Sequence, residues 1–221
     1  KIDRRNFLGL RKRNSCKKRF LMLTGHNKYI LLIAVLLVPY IVLCFFPHPM
    51  ADDYSYAHET LARSYWQSQL YEFLHWNGRY TSNLLVLGTP LVCHSFTGYR
   101  LVALVLILLT PLAAFFFISS VWGDSLAFSQ KLLGALIFST LLLGMLPSLA
   151  EGIYWLTGSL SYQLGGIAAV FYGGLMFRYM QKRFIAGKKF HLVLCILALF
   201  ITIGFNEVLM LMMVAVHLLV W

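Results

Sequence analysis

The sequence predicts an all-α membrane protein, a polytopic transmembrane helical bundle with a long outer-face first loop that carries interfacial helices. Hydrophobic residues make up 59% of the 221 residues and charged residues only 12%, whereas soluble domains contain about 45–50% apolar and about 25% charged residues. Several apolar runs approach or exceed the ~18 residues that a helix needs to cross the hydrocarbon layer. The runs are continuous and rich in leucine, without the alternation of membrane strands, so we expect helices.

The N-terminal segment, residues 1–28, is strongly basic. It carries ten of the chain's 19 lysines and arginines and a single acid, Asp3. Basic arms of this kind bind nucleic acid in some proteins, but Lys and Arg also collect on the cytoplasmic side of a first membrane span. We favour the second explanation, and we therefore expect a cytoplasmic N-terminus, contact with membrane lipids and no nucleic-acid partner.

The first predicted span, residues 29–46, ends at Pro47 and Pro49, because proline removes a backbone donor and restrains the residue before it. A polar outer loop, residues 47–100, follows. Within it we expect an amphipathic helix over 57–73 that lies along the outer membrane face, since this stretch is rich in the tryptophan and tyrosine residues that favour membrane interfaces.

The remaining spans follow from the apolar runs and from the positive-inside rule. Five basic residues lie within 178–189, which predicts a cytoplasmic segment. The short apolar stretch 83–92 would reverse this placement if it crossed, so we expect a re-entrant or interfacial helix there. The spans are then predicted at 29–46, 101–121, 132–149, 162–177, 190–205 and after Glu207. They form one transmembrane domain, residues 29–221, and the end of the chain inside an apolar run predicts a longer protein.

This topology brings widely separated acids to the same face of the membrane: Asp52 with Asp53, Glu151, and Glu207. Acids beside membrane segments are costly to keep and are functional candidates. The simpler alternatives are a helix N-cap for the aspartates and an arginine partner or a capping role for Glu207. If a metal is used, we expect a hard cation, Mg or Mn, on Asp52 or Asp53. The four histidines of the outer loop lack the spacing of a zinc site.

Two aromatic motifs accompany the acids. In Trp76-Asn77-Gly78-Arg79-Tyr80 a guanidinium lies beside a glycine turn, and Arg can hold a phosphate in a bidentate fork. In the second motif, Trp155 precedes the glycine turn at Gly158. Tryptophan faces can stack on sugar rings, whereas the simpler explanation is anchoring at the membrane interface.

The order and shared sidedness of these motifs resemble the GT-C superfamily of membrane glycosyltransferases. The resemblance rests on four stretches: Ala51-Asp52-Asp53-Tyr54, Trp76-Asn77-Gly78-Arg79-Tyr80, Tyr154-Trp155 with Gly158, and Gly204-Phe205-Asn206-Glu207. Within the superfamily, the chain is similar to a bacterial branch that includes proteins resembling O-antigen glucosyltransferases. The resemblance covers most of the chain from Tyr29 onward.

The resemblance implies an enzyme of the bacterial cytoplasmic membrane. It would transfer a sugar from a polyprenyl-phosphate donor to a glycan or lipid acceptor of the cell envelope. Asp52, with Asp53 as the next candidate, would be the general base for the acceptor hydroxyl, and Arg79 would meet the leaving phosphate. The other expected substrate contacts are Trp76, Glu151, Trp155, Asn206 and Glu207.

A second hypothesis, from another functional class, is a transporter or flippase for lipid-linked sugars or other polar solutes. Transport predicts polar groups near mid-membrane, in broken helices. Here the acids cluster at one predicted interface, and the spans between them are nearly free of charge. The sequence therefore favours interfacial chemistry over transport.

Overall fold

The computed structural model describes residues 27–220, so the predicted basic segment 1–28 lies almost entirely outside the described part. From residue 27 to residue 220 the regular structure is helical and contains no strand, which confirms the all-α prediction. The helices of this part are α1 Asn27–Leu43, α2 Asp52–Arg63, α3 Tyr65–His75, α4 Tyr80–Val86, α5 Phe96–Trp122, α6 Phe128–Gly144, α7 Leu156–Met180, α8 Lys188–Ile203 and α9 Glu207–Val220.

Two of these helices, α5 and α7, are long and apolar enough to cross a membrane. At 1.5 Å per residue, the 25 residues of α7 extend about 38 Å, which exceeds the ~30 Å hydrocarbon layer. The two helices pack along each other around Leu106, Ala113 and Ile167. Helix α6 lies against α5, and α8 lies against α7. The long pair supports membrane association, while α1, α6 and α9 are shorter apolar helices.

The predicted amphipathic helix over 57–73 is wrong in its bounds, because the segment forms two helices. Helix α2 already begins at Asp52, and it is separated from α3 by Ser64, whose backbone φ is +72°. The two helices remain in contact, since the Ser68 hydroxyl donates to the Glu59 carbonyl at 3.0 Å. Serine is not a typical helix breaker, so the sequence carries no strong signal for this corner.

The apolar stretch 83–92 does not form a spanning helix. It contains the end of α4 and a 3₁₀ turn, Pro90–Cys93. The seven residues of α4 extend only about 10 Å, which is a third of the hydrocarbon thickness. This agrees with the prediction that the segment does not cross.

Helix α4 docks instead onto the break between α8 and α9. The Thr81 N–H donates to the Gly204 carbonyl at 3.0 Å, and the Tyr80 hydroxyl donates to the Phe200 carbonyl. The backbones can approach this closely because residue 204 is glycine: a Cβ there would lie 2.3 Å from the Tyr80 ring and 2.4 Å from the Thr81 hydroxyl. The predicted break is confirmed, since α8 ends at Ile203 and α9 begins at Glu207.

The chain between α6 and α7 is wound more widely than an α-helix. Residues Ala150–Tyr154 form a π-helical turn, and a second one, Ser159–Gln163, interrupts α7 near its start. Such bulges occur frequently at functional sites. They lie on either side of Trp155 and change the direction in which the side chains of this segment point.

Candidate functional site

A polar cavity of about 430 Å³ lies where the segment that carries α2 to α4 meets the first turns of α7 and α9. Its volume falls within the range of about 300–1,000 Å³ that is usual for ligand sites. Five of the eight predicted site residues line it, although they come from four separate parts of the chain: Asp52, Trp76, Arg79, Trp155 and Glu207. The fold therefore brings together residues that are far apart in the sequence.

Asp52 lies in the first turn of α2 with its side chain exposed. Tyr56, one helical turn later, lines the same cavity, because residues four apart share a helix face. Burial, and then the negative charges of Glu72 and Asp52, raise the pKa of the Tyr56 hydroxyl to about 12. Tyr56 therefore presents a protonated hydroxyl beside an open carboxylate.

Arg79 and Glu207 form a bidentate ion pair across one wall of the cavity. The Arg79 Nε lies 2.8 Å and 3.0 Å from the two Glu207 carboxylate oxygens, and Nη2 lies 2.7 Å from Oε2. The pair is partly exposed, with 28% of the Arg79 side chain and 52% of the Glu207 side chain accessible. The hydrogen bonds to Glu207 raise the pKa of Arg79. They also tie the start of α4 to the start of α9.

Asn77 accepts two hydrogen bonds that order the start of α4 beside the cavity. Its side-chain oxygen accepts from the Arg79 backbone N–H at 3.0 Å and from the amide of buried Asn83 at 2.9 Å. Burial raises the pKa of Tyr56, and nearby Asn77 lowers it by a smaller amount. Sequence reasoning did not select Tyr56, Asn77 or Asn83. Spacing by one helical turn from Asp52 would have indicated Tyr56, and the Trp-Asn-Gly-Arg motif contains Asn77.

Asp53 lies outside the cavity lining, with no exposed surface. Its Oδ1 accepts from the Thr157 N–H at 3.0 Å and from the Thr157 hydroxyl at 2.7 Å. Its Oδ2 accepts from the Tyr99 hydroxyl at 2.7 Å and from the Met50 N–H at 3.1 Å. A carboxylate with four donors and no open side cannot reach a substrate hydroxyl. The geometry argues against the predicted catalytic role of Asp53 and for a role in joining α2 to α5 and α7.

The two remaining predicted contacts, Glu151 and Asn206, also lie outside the cavity lining. Glu151 is exposed on the first π-helical turn. Asn206 is buried and caps α9, because its side-chain oxygen accepts from the Leu209 N–H at 2.8 Å. Its amide donates to the Ser161 carbonyl at 2.9 Å. Asn206 therefore fixes the position of Glu207 without facing the cavity.

Two tryptophans contribute aromatic surface to the cavity. Trp76 is 77% exposed, and Trp155 is half-buried. Gly158 allows the Trp155 ring to lie close against α7, because a Cβ at that position would be 2.7 Å from a ring carbon. One aromatic side chain is thus packed against the protein and the other is largely exposed.

A predicted Mg or Mn site at Asp53, the buried acid of the pair, does not fit this arrangement, whereas a cation on exposed Asp52 stays a prediction. All four hydrogen bonds to Asp53 occupy the lone pairs that a cation would need. Within residues 27–220 there is no group of three or more His, Cys, Asp or Glu side chains that is placed to hold a metal ion.

Comparisons with protein-family models, with curated proteins and with solved structures find no significant match to this chain.

Proposed function

We propose that this chain is a multi-pass membrane glycosyltransferase of the GT-C type. It transfers a sugar from a polyprenyl-phosphate donor to a glycan or lipid acceptor of the cell envelope, at the outer face of the bacterial cytoplasmic membrane. The observation that carries the proposal is the polar cavity, in which an open carboxylate, Asp52, faces an Arg79–Glu207 pair and two tryptophans.

The proposed topology has six spans, α1 and α5 to α9, with the N-terminus in the cytoplasm. The basic segment 178–189, between α7 and α8, then lies on the cytoplasmic side. Three crossings separate it from the outer loop, so α2 to α4 and the cavity lie at the outer face. Trp66, Leu70 and Phe73 form an exposed apolar surface on α3 that suits contact with lipid.

In the proposed reaction Asp52 accepts the proton of the acceptor hydroxyl as its oxygen attacks the anomeric carbon. The bond between the anomeric carbon and the phosphate oxygen breaks, and the lipid phosphate leaves with the electron pair. Arg79 stabilises the charge that develops on the phosphate. Its Nη1 takes no part in the hydrogen bonds to Glu207, and we assign the contact with the phosphate to this nitrogen.

An open apolar groove of about 600 Å³ supports a lipid-linked donor. Its lining includes Trp66 and Phe73 of α3, Tyr80 and Leu84 of α4, and Phe200 of α8. Tyr80 directly follows Arg79, so the groove begins beside the cavity wall. An isoprenoid chain could lie in the groove while its phosphate reaches Arg79 and its sugar enters the cavity.

The transport hypothesis keeps one supporting observation, the break between α8 and α9 at residues 204–206. Broken helices line substrate sites in many transporters. However, the open carboxylate of the cavity belongs to α2, which is an amphipathic helix of the outer loop. Transport does not require a carboxylate at that position, whereas hydroxyl deprotonation does.

The test is transfer by the full-length protein in membranes, using a radiolabelled polyprenyl-phosphate sugar. Asp52→Asn should lower the transfer rate by about 100-fold or more, since general bases contribute about 10²–10⁴. Glu151→Gln, which neutralises an exposed carboxylate outside the cavity, should leave the rate unchanged. Full transfer by Asp52→Asn contradicts the proposal. Movement of the lipid-linked sugar across the membrane without transfer supports transport instead.

A further inference from the structure

The charge balance of the cavity bears on which sugars can enter it. Its described lining contains two carboxylates, Asp52 and Glu207, and one guanidinium, Arg79, which leaves a net formal charge of −1. The guanidinium is held by three contacts to Glu207, which offset its charge. Between residues 27 and 220 no cation forms a salt bridge with Asp52. The free charge of the cavity is therefore negative.

The uncharged part of the lining is suited to a polyol. The Tyr56 hydroxyl remains protonated, because burial and nearby acids raise its pKa to about 12, and it can donate to a sugar oxygen. Asp52, one helical turn away, can only accept. Trp76 and Trp155 offer apolar ring faces to the carbon–hydrogen surface of a pyranose.

We infer that this cavity accepts uncharged or amino-substituted sugars and excludes acidic ones. The inference rests on the proposed function, in which the cavity holds the transferred sugar. A sugar carboxylate would lie within a few ångströms of Asp52, and like charges at such distances repel strongly when water is partly excluded. The one guanidinium is shared between Glu207 and the phosphate of the donor, so it cannot neutralise a further anion. A protonated amino group would instead be attracted to Asp52.

The experiment measures the binding of three methyl glycosides that share a pyranose ring: a glucoside, a glucosaminide and a glucuronide. The full-length protein is reconstituted in lipid nanodiscs, and dissociation constants are obtained from tryptophan fluorescence or saturation-transfer NMR. The glucuronide should bind about tenfold more weakly than the glucoside, and the glucosaminide should bind at least as tightly as the glucoside. Asp52→Asn should reduce the discrimination against the glucuronide by about three- to tenfold.

Glu151→Gln is the matched control, because it changes the net charge by the same amount outside the cavity. It should leave the ratio of the dissociation constants unchanged. Equal binding of the glucuronide and the glucoside, an unchanged ratio in Asp52→Asn, or no binding of any of the three glycosides overturns the inference. Transfer activity is measured separately on the wild-type protein. Transfer without charge discrimination removes this inference alone, whereas discrimination without transfer removes the proposed enzyme and leaves a sugar-binding site.

Discussion

Replacing Asp53 by Asn should lower the free energy of unfolding, whereas the same change at the neighbouring Asp52 should leave it nearly unchanged. Asp53 is fully buried and accepts four hydrogen bonds, two at each carboxylate oxygen. Asparagine keeps one acceptor oxygen and turns an N–H₂ group toward the donors that the other oxygen served. Two hydrogen bonds to a charged group are lost, each contributing about 1.5–3 kcal/mol.

We therefore expect Asp53→Asn to lower the free energy of unfolding by about 3–5 kcal/mol. Tyr99→Phe removes one of the four donors, so it should cost only about 1–2 kcal/mol. Asp52→Asn is the control, since its side chain is exposed and should change stability by less than about 0.5 kcal/mol.

The assay is reversible unfolding in mixed micelles, followed by the helical circular dichroism signal. If Asp53→Asn and Asp52→Asn are equally stable, the structural role assigned to Asp53 is refuted. If Asp53→Asn instead loses transfer while its stability is unchanged, Asp53 acts in the chemistry, and the geometric argument against that role fails.

Two further predictions concern the docking of α4 and the buried acid of α3. Gly204→Ala places a Cβ 2.3 Å from the Tyr80 ring, so it should displace α4 and lower the free energy of unfolding by about 1–3 kcal/mol. The control is Gly166→Ala, where the added Cβ has no atom within 4 Å. In the same assay it should be neutral or raise the free energy of unfolding by about 0.5–1 kcal/mol. Burial, and then the charge of Glu59, raise the pKa of Glu72 above its usual 4.5, so the folded state binds the proton more tightly and stability should fall as pH rises through and above that value. Glu72→Gln should flatten this dependence and raise the melting temperature at neutral pH, whereas an unchanged pH profile would show that Glu72 is not responsible.

Features with local chemical signals were predictable from the sequence. The prolines after α1 and the glycine at the α8–α9 break each act within a few residues, so sequence alone indicates them. Arg79 and Glu207 were also predicted as site residues. Their pairing was not predictable, because they lie 128 residues apart and meet only when α4 docks at Gly204.

The sequence could not distinguish Asp52 from Asp53. Successive helical residues point about 100° apart, so one of two adjacent acids must face away from a given wall. Which one does depends on Tyr99 and Thr157, which lie 46 and 104 residues farther along the chain. The positions of Glu151 and Asn206 outside the cavity were unpredictable for the same reason. The π-helical turn sets where the Glu151 side chain points, and the capping of α9 sets where the Asn206 side chain points.

The tie between α4 and α9 also has a consequence for biosynthesis. Arg79 leaves the ribosome 128 residues before Glu207, which corresponds to roughly 6–25 s at about 5–20 residues per second. During that interval the guanidinium lacks its carboxylate partner, and α4 lacks the Gly204 carbonyl that anchors it. The cavity is therefore completed only after α9 has been synthesised. A nascent chain that stalls before α9 contains Asp52 but lacks the Arg79–Glu207 pair that lines the same cavity.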